Sequence, residues 1–142
     1  MTQLTEQDAR QMIAVVNTRN ADKIVEQYAE DVTFQVPALD APLHGKVAIR
    51  EFLKGNFEAF PDWTMDLTKV FVSADETVLV SSAHGTHNGP LTGKDGKSIA
   101  PTHKRFVQDE MIRVVLNEKG QVKSLRSYGN SADTLRQLGL SK

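Results

Sequence analysis

The side chains best suited to move a proton in this chain are His84 and the adjacent carboxylates Asp109 and Glu110. His84 stands on an expected strand and shares a face with Val78, Val80 and Ser82. If that face looks into the protein, a buried imidazole there can act as a base at neutral pH; the other reading is a hydrogen-bonded core histidine. Asp109 and Glu110 are neighbours on another expected strand, so one of them faces inward. An inward carboxyl among apolar groups has a raised pKa and can serve as an acid or base. Asp109 is taken as that candidate, against the reading of an exposed charge. His87 lies three residues beyond His84, on the opposite strand face, so the two make a poor metal pair. His44 and His103 add no ligand spacing, and no metal or cofactor is expected. His87 itself reads as a structural residue of the stretch GTHNG.

Other chemistries are excluded by composition. The chain has no cysteine, hence no thiolate nucleophile, disulfide or Cys-based zinc site. Lys and Arg number 17 against 18 Asp and Glu, for a net charge of -1, so no basic field invites nucleic acid or an anionic membrane. The opening MTQLTEQDAR lacks the apolar centre of a signal peptide, and no apolar run approaches the ~20 residues that span a bilayer. A cytoplasmic protein of one domain, residues 1–142, is expected.

The elements that must position these groups follow from periodicity. Thr5 caps a helix with Asp8 at the box position, and Ala9, Met12, Ile13 and Val16 form its buried face. Asn20 starts a second short helix carrying Ile24, Val25 and Tyr28. Val32, Phe34 and Val36 then alternate with Thr33 and Gln35 as a strand ending at Pro37. Ile49, Phe52, Leu53, Phe57 and Phe60 stripe a third helix that Pro61 ends. Strands are expected at 63–73, 77–87, 98–116 and 121–128, with turns at 74–76 and at NEKG. Asn130 or Ser131 caps a last helix, with Gly139 just past its end. Helices followed by a run of antiparallel strands mean an α+β fold. A sheet bent around a long helix leaves a cone whose apolar interior suits a small molecule. Met12, Phe34, Val36, Phe52, Phe60, Trp63, Met65 and Ile112 are expected to line it as pocket or core.

The stretches IVEQYAEDVTFQVP, HGKVAIREFL, AFPDW, GTHNG and RQLG resemble the nuclear transport factor 2-like superfamily. Its SnoaL-type polyketide cyclase and ketosteroid isomerase-like branches are both close, and the resemblance spans roughly residues 9–139. It implies the cone-shaped, cystatin-like version of the α+β fold and a homodimer packed through the sheet. The fold alone does not fix the activity. Ketosteroid isomerases use an Asp base with a Tyr and a protonated Asp as oxyanion donors. The resemblance places Val36, Met12 and a position near Ile112 where those groups would stand, and none can exchange a proton. SnoaL-type cyclases use an Asp seven residues before the Gln of QLG; here that position is Asn130, whose amide does not titrate. Asn130 is therefore either a helix cap or a ligand contact inside the cone. Two functions stay open: a cofactor-free cyclase- or isomerase-like enzyme on a small apolar carbonyl compound, with His84, Asp109 or Asn130 in its site, or a binding or interaction domain that has lost the catalytic carboxylates.

Overall fold

The structure, a computed structural model, describes residues 4–74, 76–93 and 95–140. The chain starts as its capping residues dictate. Helix α1 (Glu6–Val16) is closed by the reciprocal box, Asp8 N–H donating to Thr5 Oγ1 at 3.0 Å and Thr5 N–H to Asp8 Oδ2 at 3.2 Å. Its buried residues are Ala9, Met12 and Ile13. Helix α2 (Ala21–Val25) is capped by the Asn20 side chain. Tyr28, expected on this helix, instead opens strand β1 (Tyr28–Gln35), because α2 stops after five residues and the next turn points the phenol into the core.

Strand β2 (Leu43–His44) returns beside β1, and Gly45 at φ 86° leads into α3 (Lys46–Ala59). Then come β3 (Thr64–Val72), β4 (Thr77–Thr86), a ribbon of β5 (Leu91–Thr92) and β6 (Ser98–Ile99), β7 (Arg105–Leu116), β8 (Val122–Tyr128) and α4 (Ser131–Gln137). The turn expected at 74–76 includes Asp75, which lies outside the described residues. The single strand expected over 98–116 is two. Pro101 and a left-handed His103 (φ 61°) break it, so β6 pairs with β5 and β7 joins the main sheet.

That sheet runs β2-β1-β8-β7-β4-β3, antiparallel except where β1 meets β8. It curves around the helices, with α1 over β3, α3 over β1 and β2, and α4 on β7. Strand alternation sorts its faces. On β4, Leu79, Ser81 and Ala83 are buried while Val78, Val80, Ser82 and His84 face the other way. On β7, Phe106, Glu110, Ile112 and Val114 are buried, whereas Val107, Asp109, Met111 and Arg113 are exposed.

Side-chain amides complete the sheet in two places. Strand β7 pairs with β4 from Arg105 to Val114 but with β8 only from Met111 onward. Beside the unpartnered half, Gln137 of α4 accepts from Val107 N–H at 2.8 Å and donates to Val107 C=O at 2.9 Å, as a neighbouring strand would. At the border strand β3, Asn17 does the same for Met65, at 2.8 and 2.9 Å.

Candidate functional site

The largely apolar inner face of the sheet carries a polar row crossing three strands. Ser81 on β4 stands opposite Glu110 on β7 in the strand register, and Ser127 on β8 donates its hydroxyl to Glu110 Oε2 at 3.0 Å. All three are buried: Ser81 is 2%, Glu110 9% and Ser127 5% exposed. Burial pushes the Glu110 carboxyl above its ordinary value of 4.5, since an anion there loses its water, and the Ser127 bond offsets only part of this. Gln108, two residues earlier on the same face, accepts from Thr134 Oγ1 of α4 at 2.7 Å. A carboxyl that holds its proton in such a place can give or take one from a neighbouring ligand.

The expected acid/base residues fall elsewhere. Asp109 is exposed on the far side of β7, and the inward member of the pair is Glu110. The signal was present in the sequence, because Glu110 has the same strand parity as Phe106, Ile112 and Val114, and Asp109 does not. His84 does share a face with Val78, Val80 and Ser82, but that face is the outer one. There its Nε2 lies 3.3 Å from Asp66 Oδ2 and its Nδ1 3.5 Å from Arg105. The outer face misled the parity reading because it too carries apolar side chains, Val80 standing between Lys69 and Met111 and Met111 beside Tyr128. Asn130 is exposed and caps α4, its Oδ1 accepting from Asp133 N–H at 3.0 Å. Ser81, Ser127 and Gln108 were not singled out by sequence; a serine on a strand gives no sign of which face it occupies.

His87 is fully buried, and its Nδ1 takes the Thr102 N–H at 3.2 Å, which leaves the proton on Nε2. Burial holds its pKa below the ordinary value, and the charge of His103 adds to this. The His87 backbone bonds Lys104 and His103, while Asn88 and Gly89 both donate to Ala59 C=O, so GTHNG ties the end of α3 to the β6–β7 connection. In AFPDW, burial acts to raise Asp62, but bonds from Thr86 N–H (2.7 Å) and Thr86 Oγ1 (2.8 Å) outweigh it and hold its pKa low. Both motifs are explained as fastenings.

Of the expected lining, Met12, Phe34, Phe60, Met65 and Ile112 are buried, and Val36, Phe52 and Trp63 are half-buried. Their rings touch: Phe34 and Phe52 at 5.9 Å between centroids, Phe60 and Trp63 at 5.9 Å, and Phe60 and Phe106 at 5.1 Å. Two grooves lie on the surface, one of about 500 Å³ between the α1–α2 turn and the end of α3, another of about 250 Å³ between α1 and β3. Neither reaches Glu110. Among the described residues, no helix is long and apolar enough to cross a membrane.

Fold and polar row together define a small α+β protein whose curved sheet, among the described residues, encloses one inward carboxyl, Glu110. The chain belongs to the SnoaL-like polyketide cyclase family, whose pattern it matches over residues 7–138. No curated protein matches it. Among solved structures it is similar to TsrD from Streptomyces laurentii (TM-score 0.76, 18% identity, 97% of this chain and 99% of that one). It is similar also to SalBIII, an epoxide hydrolase/cyclase-like enzyme with a role in pyran ring formation in the polyether salinomycin (0.70, 20%, 92% and 96%). A third is a protein of ketosteroid isomerase-like fold from Catenulispora acidiphila, solved with trimethylamine (0.78, 17%, 96% and 95%). These likenesses place the fold in the nuclear transport factor 2-like group.

Proposed function

We propose that this protein acts on a small apolar carbonyl compound held inside the curved sheet, by cofactor-free acid/base chemistry of the cyclase or isomerase type, with Glu110 as the proton-transferring group. The observation that carries the reading is the inward, buried Glu110 carboxyl with its raised pKa. Membership of a cyclase family supports it, as does likeness to a structure named for ring formation. Val36, Met12 and Asn130 occupy the positions that the resemblance assigns to the proton-exchanging groups, and Glu110 lies two residues from Ile112 on the same strand face. General acid–base help of this kind is worth ~10²–10⁴-fold in rate. The protein is further proposed to work in the cytoplasm as a homodimer joined through the outer sheet face, where Phe71, Val107, Met111 and Tyr128 are exposed.

A second reading, ligand binding without turnover, is favoured by Asn130 being an exposed cap rather than an acid. Enolisation separates the two. Incubated in D₂O with α-tetralone, the wild type should exchange the protons next to the carbonyl faster than buffer does, and Glu110→Gln should not. Binding without exchange would assign the protein to the second reading. Exchange that survives Glu110→Gln would remove Glu110 from the chemistry.

A further inference from the structure

Ser81 is the unexplained member of the polar row. Its Oγ is buried and has no hydrogen-bond partner, while the residues before and after it on the same face, Leu79 and Ala83, are apolar. A buried hydroxyl without a partner weakens the folded state, because it has given up water and received nothing in exchange. An alanine would pack there without that loss. Across the strand gap stands Glu110, whose Oε2 is engaged by Ser127 from the side away from Ser81. The row therefore has a filled half, Glu110 with Ser127, and an unsatisfied half, Ser81.

We infer that Ser81 is a ligand-binding residue, its Oγ–H donating to the carbonyl oxygen of an apolar ketone that lies against Glu110. This rests on the function proposed above and names the ligand group that the site selects. The inner face takes the hydrocarbon body, and Ser81 supplies a hydrogen bond, beside the Glu110 carboxyl, that tells a ketone from a hydrocarbon of the same shape. A site built to bond an oxygen rejects the analogue that lacks it, because its own polar group is then left bare. Ser81 would thus weaken the empty protein and strengthen the occupied one, the pattern of a residue kept for binding.

The test uses α-tetralone and its deoxygenated analogue tetralin, titrated by ¹H–¹⁵N NMR into wild type and Ser81→Ala, with thermal unfolding of both proteins. The expected result is a Tm of Ser81→Ala equal to or above wild type, tetralone affinity reduced by about three- to ten-fold, the range of one neutral hydrogen bond, and tetralin affinity unchanged. A lower Tm with unaltered tetralone binding would make Ser81 a structural residue and overturn the inference. Equal weakening of both probes would make it a packing residue and overturn it as well. If wild type binds neither probe, the proposed function fails with it. If wild type binds both and Ser81→Ala changes neither, only the role of Ser81 fails.

Discussion

Replacing Glu110 by Gln should change how stability depends on pH, and the sign can be worked out. In the folded protein the carboxyl is 9% exposed, and this burial, only partly offset by the hydrogen bond that Ser127 donates, makes it keep its proton above the ordinary value of 4.5. In the unfolded chain it ionises near that value. Between the two the native state binds more protons than the unfolded one, so stability falls as pH rises, and the loss levels off above the folded pKa. The slope from one such group is at most about 1.4 kcal/mol per pH unit. Gln has nearly the same shape, its Oε1 can still accept from Ser127, and it does not titrate. Its buried NH₂ lowers stability by a roughly constant amount of about 1–3 kcal/mol wherever it finds no partner. The diagnostic is therefore the slope and not the offset. Urea unfolding followed by far-UV circular dichroism from pH 4 to pH 8 should show Glu110→Gln gaining on wild type as pH rises above about 4.5. The contribution of His87 runs the other way, since a histidine held neutral by burial costs stability as pH falls, but it is common to both proteins and cancels in the difference. Parallel pH profiles would show that Glu110 is not a protonated inward acid, and the proposed chemistry would lose its basis.

Asn130→Ala should cost about 0.5–2 kcal/mol in thermal unfolding, while Asn130→Asp, an equally good cap, should be nearly neutral and titrate as an exposed carboxyl in NMR. Gly89→Ala should lower stability by about 3 kcal/mol or more, because its Cβ would stand 1.9 Å from the Glu58 carbonyl oxygen; a variant of ordinary stability would refute that packing. Met111→Glu, at the centre of the exposed apolar stripe, should convert a dimer to a monomer in light scattering, and a wild type already monomeric at micromolar concentration would refute the dimer.

Most of the fold was legible because its signals are local. Thr5, Asn20 and Asn130 are caps whose side chains accept the N–H three residues on, and the helical stripes and strand alternations are short-range patterns. The break in the 98–116 stretch was half visible in Pro101, whereas the left-handed turn at His103 depends on backbone bonds to His87, sixteen residues earlier. The site was harder to read. Alternation assigns residues to two faces but does not say which face is inside when both carry apolar groups, as on β4. On β7 the run Phe106, Ile112 and Val114 does settle it, in favour of Glu110. The pairing of Ser81 with Glu110 and of Ser127 with Glu110 arises from three strands meeting, and no local pattern encodes it.

The amides of Gln137 and Asn17 complete the sheet where no strand does, so two stretches of strand backbone depend on side chains that can deamidate. Hydrolysis of either amide to a carboxylate keeps the oxygen that takes the backbone N–H but removes the N–H₂ that gives to the carbonyl, and sets a negative charge against it. For Gln137 that would loosen a helix with no buried residue of its own and uncover the backbone of Val107, beside Phe106. An unprotected strand edge is a template for another chain. Deamidation of either side chain would leave a stretch of strand backbone without the partner it now has.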